Sequence, residues 1–312
     1  MSEPLLSGWV ARMQSGFISV KTESAGEVVC RLRGRLKKNR FAGDIIAIGD
    51  RVRISVLPDG SGMIEEIDPR THELARMAPT PRGEFRQILF ANPDQVVLVF
   101  ACAQPAPRLR MLDRFLVICE KQQIPLLIVA NKVDLVGMEA AAEKFGVYAR
   151  LGYPLLYTSV ALKLGVDELH QCLRGKLSGL AGPSGVGKSS LLNAIQPNLG
   201  LAVRSVSDVT TKGRHTTVVR EMFPLVDGGF VADLPGLKSL ALWDTEPEEI
   251  DGYFPDLRDL VAACQFSNCT HRSEPGCAVR SAVAQGSVHP ERYESYLRMR
   301  YSKDELGDLV DS

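Results

Sequence analysis

The sequence predicts an α/β protein in three parts: a small β-barrel, a parallel-sheet domain and a mainly helical tail. Three features of the chain carry that reading. Short runs rich in β-branched residues, punctuated by Gly and Asp, occupy residues 8–67. Continuous apolar runs then alternate with helix-like stretches, the texture of a parallel sheet covered on both faces. Beyond residue 245 the strand texture ends, and cysteines gather in a helical tail.

In the first part, Trp9–Arg12, Gly16–Val20, Val28–Arg33 and Asp50–Val56 read as strands, with Met63–Ile67 as a fifth. Five short strands in so little chain suit a barrel of the OB type; a meandering sheet is the alternative. Arg31, Arg33 and Arg35 alternate with Leu32, Gly34 and Leu36, and Lys37, Lys38 and Arg40 follow. In a strand this sets three guanidiniums on one face, an electrostatic footprint for a nucleic-acid backbone. The competing reading is a solvated charged face, since of the aromatic residues only Phe41 adjoins the run. Pro79–Gly83 has the composition of a linker. After it, Gln95–Ala101 is a buried strand, Arg110–Gln122 a helix, and Pro125–Ala130 the next buried strand. Leu155–Thr158 and Lys176–Ala181 follow as strands, then Ser190–Ile195 as a helix. The segment Glu291–Arg300 reads as an amphipathic helix that either docks on the core or touches RNA.

Composition narrows the function classes. Apolar residues at 45% and charged residues at 24% are ordinary for a globular protein, which excludes wholesale disorder. Lys and Arg number 37, as do Asp and Glu, so any affinity for nucleic acid must come from local patches. No apolar run approaches the ~18 residues needed to cross a bilayer, and Met1-Ser2-Glu3-Pro4 lacks the regions of a signal peptide. Seven cysteines, an odd count with three clustered near the C-terminus, argue for a reducing cytoplasm rather than a disulfide framework.

The motifs lie at the carboxyl ends of strands, where open α/β sheets bind ligands. Gly182-Pro183-Ser184-Gly185-Val186-Gly187-Lys188-Ser189 fits the phosphate-loop pattern G-x-x-x-x-G-K-[ST], and Ser190 continues into a helix. Such a loop works because successive N–H groups and a helix N-terminus converge on phosphate oxygens. Lys188 supplies charge to the β- and γ-phosphates, and the Ser189 hydroxyl is placed to ligate Mg²⁺. Asp233-Leu234-Pro235-Gly236 fits the D-x-x-G element, with Asp233 holding Mg²⁺ through a water and the Gly236 N–H meeting the γ-phosphate. Asn131-Lys132-Val133-Asp134 is an N-K-x-D motif. Its Asp134 carboxylate accepts from two adjacent donors, which guanine presents and adenine does not. Asn131 ties this loop to the phosphate loop, and the Lys132 stem covers one face of the base. Thr158-Ser159-Val160 occupies the place of the S-A-x motif, whose backbone N–H groups meet the guanine oxygen, with Val160 in place of the usual alanine. One of Thr216 or Thr217, in the first-switch segment, completes the Mg²⁺ shell; the sequence does not choose between them. Leu237 occupies the place where Ras-type enzymes carry a water-orienting glutamine, and leucine has neither donor nor acceptor. His215 is the nearest candidate for that task; the alternative is an ordinary loop histidine.

The guanine-reading motif precedes the phosphate loop, whereas in ordinary small GTPases it follows. These are the parts of a GTPase in circularly permuted order. Downstream, Cys264-x4-Cys269-x-His271-x5-Cys277 offers three thiolates and an imidazole, a closed tetrahedral set for one structural Zn²⁺. Free buried cysteines are the alternative.

Taken together, G-P-S-G-V-G-K-S-S at Gly182–Ser190, G-R-H-T-T at Gly213–Thr217, D-L-P-G at Asp233–Gly236 and the cysteine cluster with E-P-G-C at Glu274–Cys277 resemble the RsgA family of small-ribosomal-subunit-dependent GTPases. Val218 stands where that family usually has a third threonine. The resemblance implies a permuted P-loop GTPase domain (76–242) between an OB-type RNA-binding barrel (1–75) and a helical zinc-binding domain (243–312). It implies a cytoplasmic monomer that hydrolyses GTP to GDP with Mg²⁺, away from any membrane. Its partner is the small ribosomal subunit with its rRNA, late in maturation, and the ribosome stimulates hydrolysis with help from His215. A P-loop kinase using ATP is opposed by Asp134, and a catalytically dead RNA-binding module is favoured by Leu237 alone. The permutation also makes residues 205–240 run straight into the tail, so that a nucleotide-dependent change there could move the tail directly.

Overall fold

The computed structural model describes residues 4–14, 16–39, 44–80, 83–201, 220–234 and 245–301. They fall into two compact units that interleave along the chain: Met1–Val97 with Val166–Ala181 and Lys188–Leu240, and Leu98–Gly165 with Gly182–Gly187 and Ala241–Ser312.

The first unit opens with β1 (Leu6–Gln14), β2 (Phe17–Thr22), β3 (Gly26–Leu32), β4 (Arg51–Val56) and β5 (Gly62–Ile67). They pair in the order β1-β2-β3-β5-β4, and β4 closes on β1. A meander would pair β3 with β4; here β3 runs parallel to β5, the OB arrangement. Alternation sends Val10, Ile18, Val20, Val28, Cys30, Val52, Ile54 and Ile64 into one core. Burial pushes the Cys30 thiol up to about 11, so it packs as a small apolar group.

The basic run departs from expectation. β3 ends at Leu32, and Gly34–Asn39 is a short 3-10 helix, so Arg31, Arg33 and Arg35 do not share a strand face. The reason is Glu65. It is the extra residue of a bulge in the β4–β5 ladder, only 7% exposed. A carboxylate so placed needs counter-charge. Arg33 forms an ion pair with it, and Arg35 Nη2 donates to its backbone oxygen at 2.9 Å.

Next come β6 (Glu73–Thr80) and β7 (Gly83–Ala91), an antiparallel hairpin in which Pro79 faces Glu84. Pro79, Thr80 and Gly83 therefore belong to paired strands and not to a linker, and the expected boundary at 75/76 falls within β6. Gly and Pro punctuate both kinds of segment, so composition did not separate them. The same unit holds α3 (Val166–Leu173), β11 (Leu177–Ala181), α4 (Lys188–Ile195), β12 (Arg220–Pro224) and β13 (Phe230–Asp233). β11 runs parallel to β13, β12 antiparallel to it, and β12 also pairs with β1, Arg12 opposite Glu221.

The second unit takes the end of β8 (Gln95–Ala101), with α1 (Leu109–Gln122), β9 (Leu126–Asn131), α2 (Met138–Arg150) and β10 (Leu155–Thr158). Its strand order is β10-β9-β8. It also contains α5 (Pro255–Val261), α6 (Ala278–Ala284) and α7 (Pro290–Tyr301). These helices do not form a core of their own: Val117 of α1 is buried among Ile250, Phe254, Leu257, Val279 and Tyr296. Among the described residues no helix is long and apolar enough to cross a membrane.

α7 docks. Its Arg292, 2% exposed, donates through Nη1 to Asp113 of α1 at 2.7 Å. Its Nε and Nη2 form a two-pronged contact with Asp256 of α5 at 2.9 and 2.6 Å. Tyr148 of α2 donates its hydroxyl to the same Asp113 oxygen at 3.0 Å. Burial raises the Asp113 carboxyl above its usual range while Arg292 pulls it back. One guanidinium thus serves two buried carboxylates from helices far apart in sequence. Replacing Arg292 with Met should cost about 3–5 kcal/mol, the cost of stranding buried charge, read from urea unfolding. Without Arg292, burial would hold the Asp113 carboxyl still further above its usual range. The deficit should accordingly be full at pH 8 and shrink as pH falls and that carboxyl protonates.

Candidate nucleotide site and metal centre

β9 carries Asn131 to its carboxyl end, where the chain turns through Lys132, whose φ of 63° is left-handed, into a short 3-10 turn at Val133–Leu135. Asn131 is 2% exposed, and its amide is satisfied at both ends. Nδ2 donates to the Val186 carbonyl at 2.8 Å, and Oδ1 accepts from the Thr158 hydroxyl at 2.9 Å. Lys132 Nζ donates to the Gly185 carbonyl at 2.6 Å and also to that of Gln104. The base-reading loop is thus pinned twice to the phosphate loop. Burial lowers the Lys132 pKa, with Asp134 opposing.

Asp134 stays exposed, and its Oδ1 accepts from the Ser159 hydroxyl at 2.6 Å. Ser159 is itself fixed by a two-way backbone pairing with Leu164, 2.9 Å each way, and its hydroxyl accepts from the Leu162 N–H at 3.1 Å. The carboxylate therefore arrives in one orientation with its second oxygen unclaimed by Ser159. Val133, at 3% exposure, anchors the turn in the core. Val160 closes the neighbouring turn by accepting from the Lys163 N–H at 3.3 Å.

The phosphate loop depends on backbone that side chains would obstruct. Gly182 has φ 146° and Gly187 φ 99°. A Cβ at Gly182 would fall on the Val99 carbonyl oxygen, and one at Gly187 would meet Asn131 Nδ2 at 2.5 Å. Pro183 and Val186 are buried beneath the loop while Ser184 is exposed.

In the first unit, α4 begins at Lys188, so Ser189 and Ser190 lie in its first turn, which has no acidic residue. Its free N–H groups and macrodipole favour an anion. Burial raises the Asp233 carboxyl, and Lys188 pulls it down through space. Asp233 Oδ1 is buried and has no hydrogen-bond partner among the described residues. A buried acceptor left over beside a P-loop lysine fits a hydrated Mg²⁺. Thr216, Thr217, His215, Gly236 and Arg40 lie outside the described residues, as do the side chains of Lys37 and Lys38.

The sulfurs of Cys264, Cys269 and Cys277 and a ring nitrogen of His271 lie within 4.8 Å of one another, a spacing that can hold one metal ion. His271 is fully buried with a left-handed φ of 58°, uncommon outside glycine, and Nδ1 sits 3.6 and 3.5 Å from the Cys264 and Cys277 sulfurs. Its Nε2 meets Asp251 Oδ2 at 3.2 Å, the carboxylate–histidine pairing that orients metal-ligating imidazoles. Burial opposes the imidazolium, but Asp251 and then the two sulfurs raise His271 to about 9. Burial pushes Cys269 up to about 12; it raises Cys277 too, but the Arg280 N–H and His271 bring that thiol below its usual value. Glu274 clasps the ligand loop, accepting from the N–H groups of Thr270, Arg272 and Ser273 at 2.8, 3.0 and 3.1 Å. Three sulfurs and one imidazole with a carboxylate behind it form a closed structural set.

Asp251 and Glu65 escaped sequence reasoning as functional partners, and the Thr158 hydroxyl's bond to Asn131 was not foreseen. Asp251 is too far from the cysteines to belong to any local spacing, and Glu65 looked like an ordinary strand residue.

The sequence model for the RsgA GTPase matches residues 67–243, and that for the RsgA N-terminal domain matches residues 7–64. A small ribosomal subunit biogenesis GTPase RsgA from Gemmatimonas aurantiaca is 46% identical over 303 residues, covering 96% of this chain and 97% of that one. Its counterpart in Moorella thermoacetica is 44% identical over 293 residues, covering 94% and 95%. The crystal structure of YjeQ from Thermotoga maritima superposes with a TM-score of 0.76 at 36% identity, covering 97% of this chain and 99% of that one. That of YloQ, described as a circularly permuted GTPase, gives 0.70 at 33% identity, covering 99% and 98%. The chain belongs to the RsgA family of circularly permuted GTPases.

Proposed function

We propose that this GTP hydrolase binds the small ribosomal subunit and acts in its late maturation, with turnover stimulated by the ribosome. The observation that carries the nucleotide assignment is the Asp134 carboxylate held by Ser159 on a loop that Asn131 and Lys132 fasten to the phosphate loop. The ribosomal assignment is supported by the names of its relatives. We assign residues 1–75 to RNA binding, 76–242 to the GTPase and 243–312 to a zinc-bearing domain that leans on α1, in a cytoplasmic monomer.

In this reading Asp134 accepts from guanine N1 and the exocyclic amine, and the Val160 N–H meets the guanine oxygen; the Ser159 N–H is taken by the Leu164 carbonyl, so Ser159 serves through its hydroxyl on Asp134. Phosphates lie on the N–H groups of Ser184–Ser190, with Lys188 at the β- and γ-phosphates. Ser189, Asp233 through water and one of Thr216 or Thr217 hold Mg²⁺, which neutralises charge on the γ-phosphate. With Leu237 unable to orient water, His215 takes that part once the subunit brings it into place. GTP turnover with and without purified small subunits, together with co-sedimentation, tests the whole reading; absence of both binding and stimulation would sink it.

Replacing Asp134 with Asn swaps an acceptor for a partial donor. GTP affinity should fall and xanthine nucleotides should gain in a competition assay, with phosphate contacts untouched. Unchanged guanine preference would remove Asp134 from base reading.

Replacing Cys269 with Ala should abolish the metal site and unfold the helices around it, because the metal's binding energy is largely folding energy there. Elemental analysis should find about one zinc per wild-type chain, little in the variant, and reduced helical circular dichroism. A metal-free wild type that keeps those helices would overturn the zinc assignment.

Replacing His215 with Ala should leave affinity for GDP unchanged and lower subunit-stimulated turnover at least about tenfold, the low end for loss of a proton-handling or orienting group. Full stimulated turnover with intact subunit binding would make His215 a bystander.

A further inference from the structure

We propose that the outer wall of β2 and β3 carries a stacking site for an unpaired RNA base, with the Phe17 ring as platform and the Arg31 guanidinium beside it. The proposal rests on the RNA-binding reading of the barrel and adds a residue, Phe17, that nothing else in the chain's function requires.

Register fixes the arrangement. Gln14 of β1 lies opposite Phe17, Ser19 opposite Val29, and Arg31 opposite Met63 of β5. Phe17 and Val29 both point outward and are each 49% exposed, although the barrel core is already filled from the other face. The Arg31 guanidinium lies over the Phe17 ring, 5.4 Å from its centroid.

What singles this arginine out is that its charge is uncommitted. Arg33 and Arg35 are engaged by Glu65, and Lys21 and Arg53 pair with Glu27 and Glu66 at 2.9 and 3.1 Å. Arg31 has no ion pair among the described residues. It acts on Asp59 only through space, and that carboxylate already accepts from the Ser61 N–H and hydroxyl at 2.9 and 2.7 Å. A half-exposed ring with an uncommitted guanidinium meets both needs of a splayed nucleotide: a flat face for the base and a cation for its phosphate. The wall of a barrel cannot reach bases stacked inside a duplex, so the occupant is single-stranded. Strands 2 and 3 are also the face on which OB barrels take oligonucleotides.

The test uses the full chain and a fluorescently labelled, unstructured RNA dodecamer, with the same sequence as a duplex for comparison. Phe17→Ala should weaken single-strand binding about tenfold, within the range for losing one stacked base, and leave duplex binding nearly unchanged. Phe17→Trp should retain the affinity, and its indole fluorescence should be quenched when RNA binds. Arg31→Gln should weaken binding and lower the salt slope by about one, the signature of one lost phosphate contact. Since Phe17 lies outside the core, a matching thermal midpoint certifies each variant. The proposal is overturned if the wild type ignores the single strand, if Phe17→Ala binds it normally, or if single and double strands weaken alike. Co-sedimentation of the same variants with small subunits separates the two readings. Wild-type chain that binds the dodecamer but not subunits would defeat the ribosomal assignment alone, and subunit binding with no dodecamer stacking would defeat this one alone.

Discussion

The site depends first on the hydrogen bond from the Asn131 amide to the Val186 carbonyl. In a permuted chain the base-reading loop is laid down before the phosphate loop, and much chain separates them. Their spacing must be held through space, and this bond holds it. Because Asn131 is almost wholly buried, losing either partner would leave a polar group stranded, at a cost of about 1–3 kcal/mol. Its other end takes the Thr158 hydroxyl, so the turn after β10 is gathered into the same set. The constraint reaches the neighbouring sequence as well. Position 187 must be glycine because the Asn131 amide occupies the space where a Cβ would stand.

α1 has two clients. Its Phe115 ring lies 6.2 Å from that of Phe100 on β8, and it lends Val117 to the core of the C-terminal helices and Asp113 to their central arginine. The order of the chain joins residues 205–240 to the tail, which suggested that a change at the phosphate end would move the tail directly. Packing adds a second attachment that sequence order hid. Tyr148 and Asp113, from the base-reading side, both reach the network around Arg292. Any motion transmitted along the chain has to work against that anchor, in which charge is buried too deeply to be separated cheaply.

How much of this could be read from the residues follows from the range of each interaction. The phosphate loop, the guanine motif and the cysteine cluster are local patterns, and each was legible because its chemistry is written in consecutive residues. The barrel was legible as five strands, but its closure rests on the β1–β4 pairing and the parallel β3–β5 pairing, which no local pattern encodes. The β6–β7 hairpin was misread as a linker because Pro79, Pro81 and Gly83 signal a turn whether or not strands flank it. The arginine run failed for a different reason. Its periodicity was that of a strand, yet a buried carboxylate more than thirty positions away outweighed local preference. The docking of α7 could not be decided at all from its own sequence, where Arg292 looks like any other basic helix residue.

The zero net charge of the chain follows the same logic. The most buried ionic groups are spent on architecture, and each ties elements distant in sequence. Glu65 holds Arg33 and Arg35 to the bulge. Asp50, fully buried, takes Arg70 through two bonds of 2.7 Å, and Arg292 spans Asp113 and Asp256. A buried pair earns little net stability against well-packed apolar residues, but it penalises any arrangement in which one partner is missing. Charges used in this way specify a fold. If the chain binds a polyanion as proposed, its neutral net charge means that affinity has to reside in local cations left outside such pairs. That makes an uncommitted guanidinium such as Arg31 more informative about a partner than the length of any basic run.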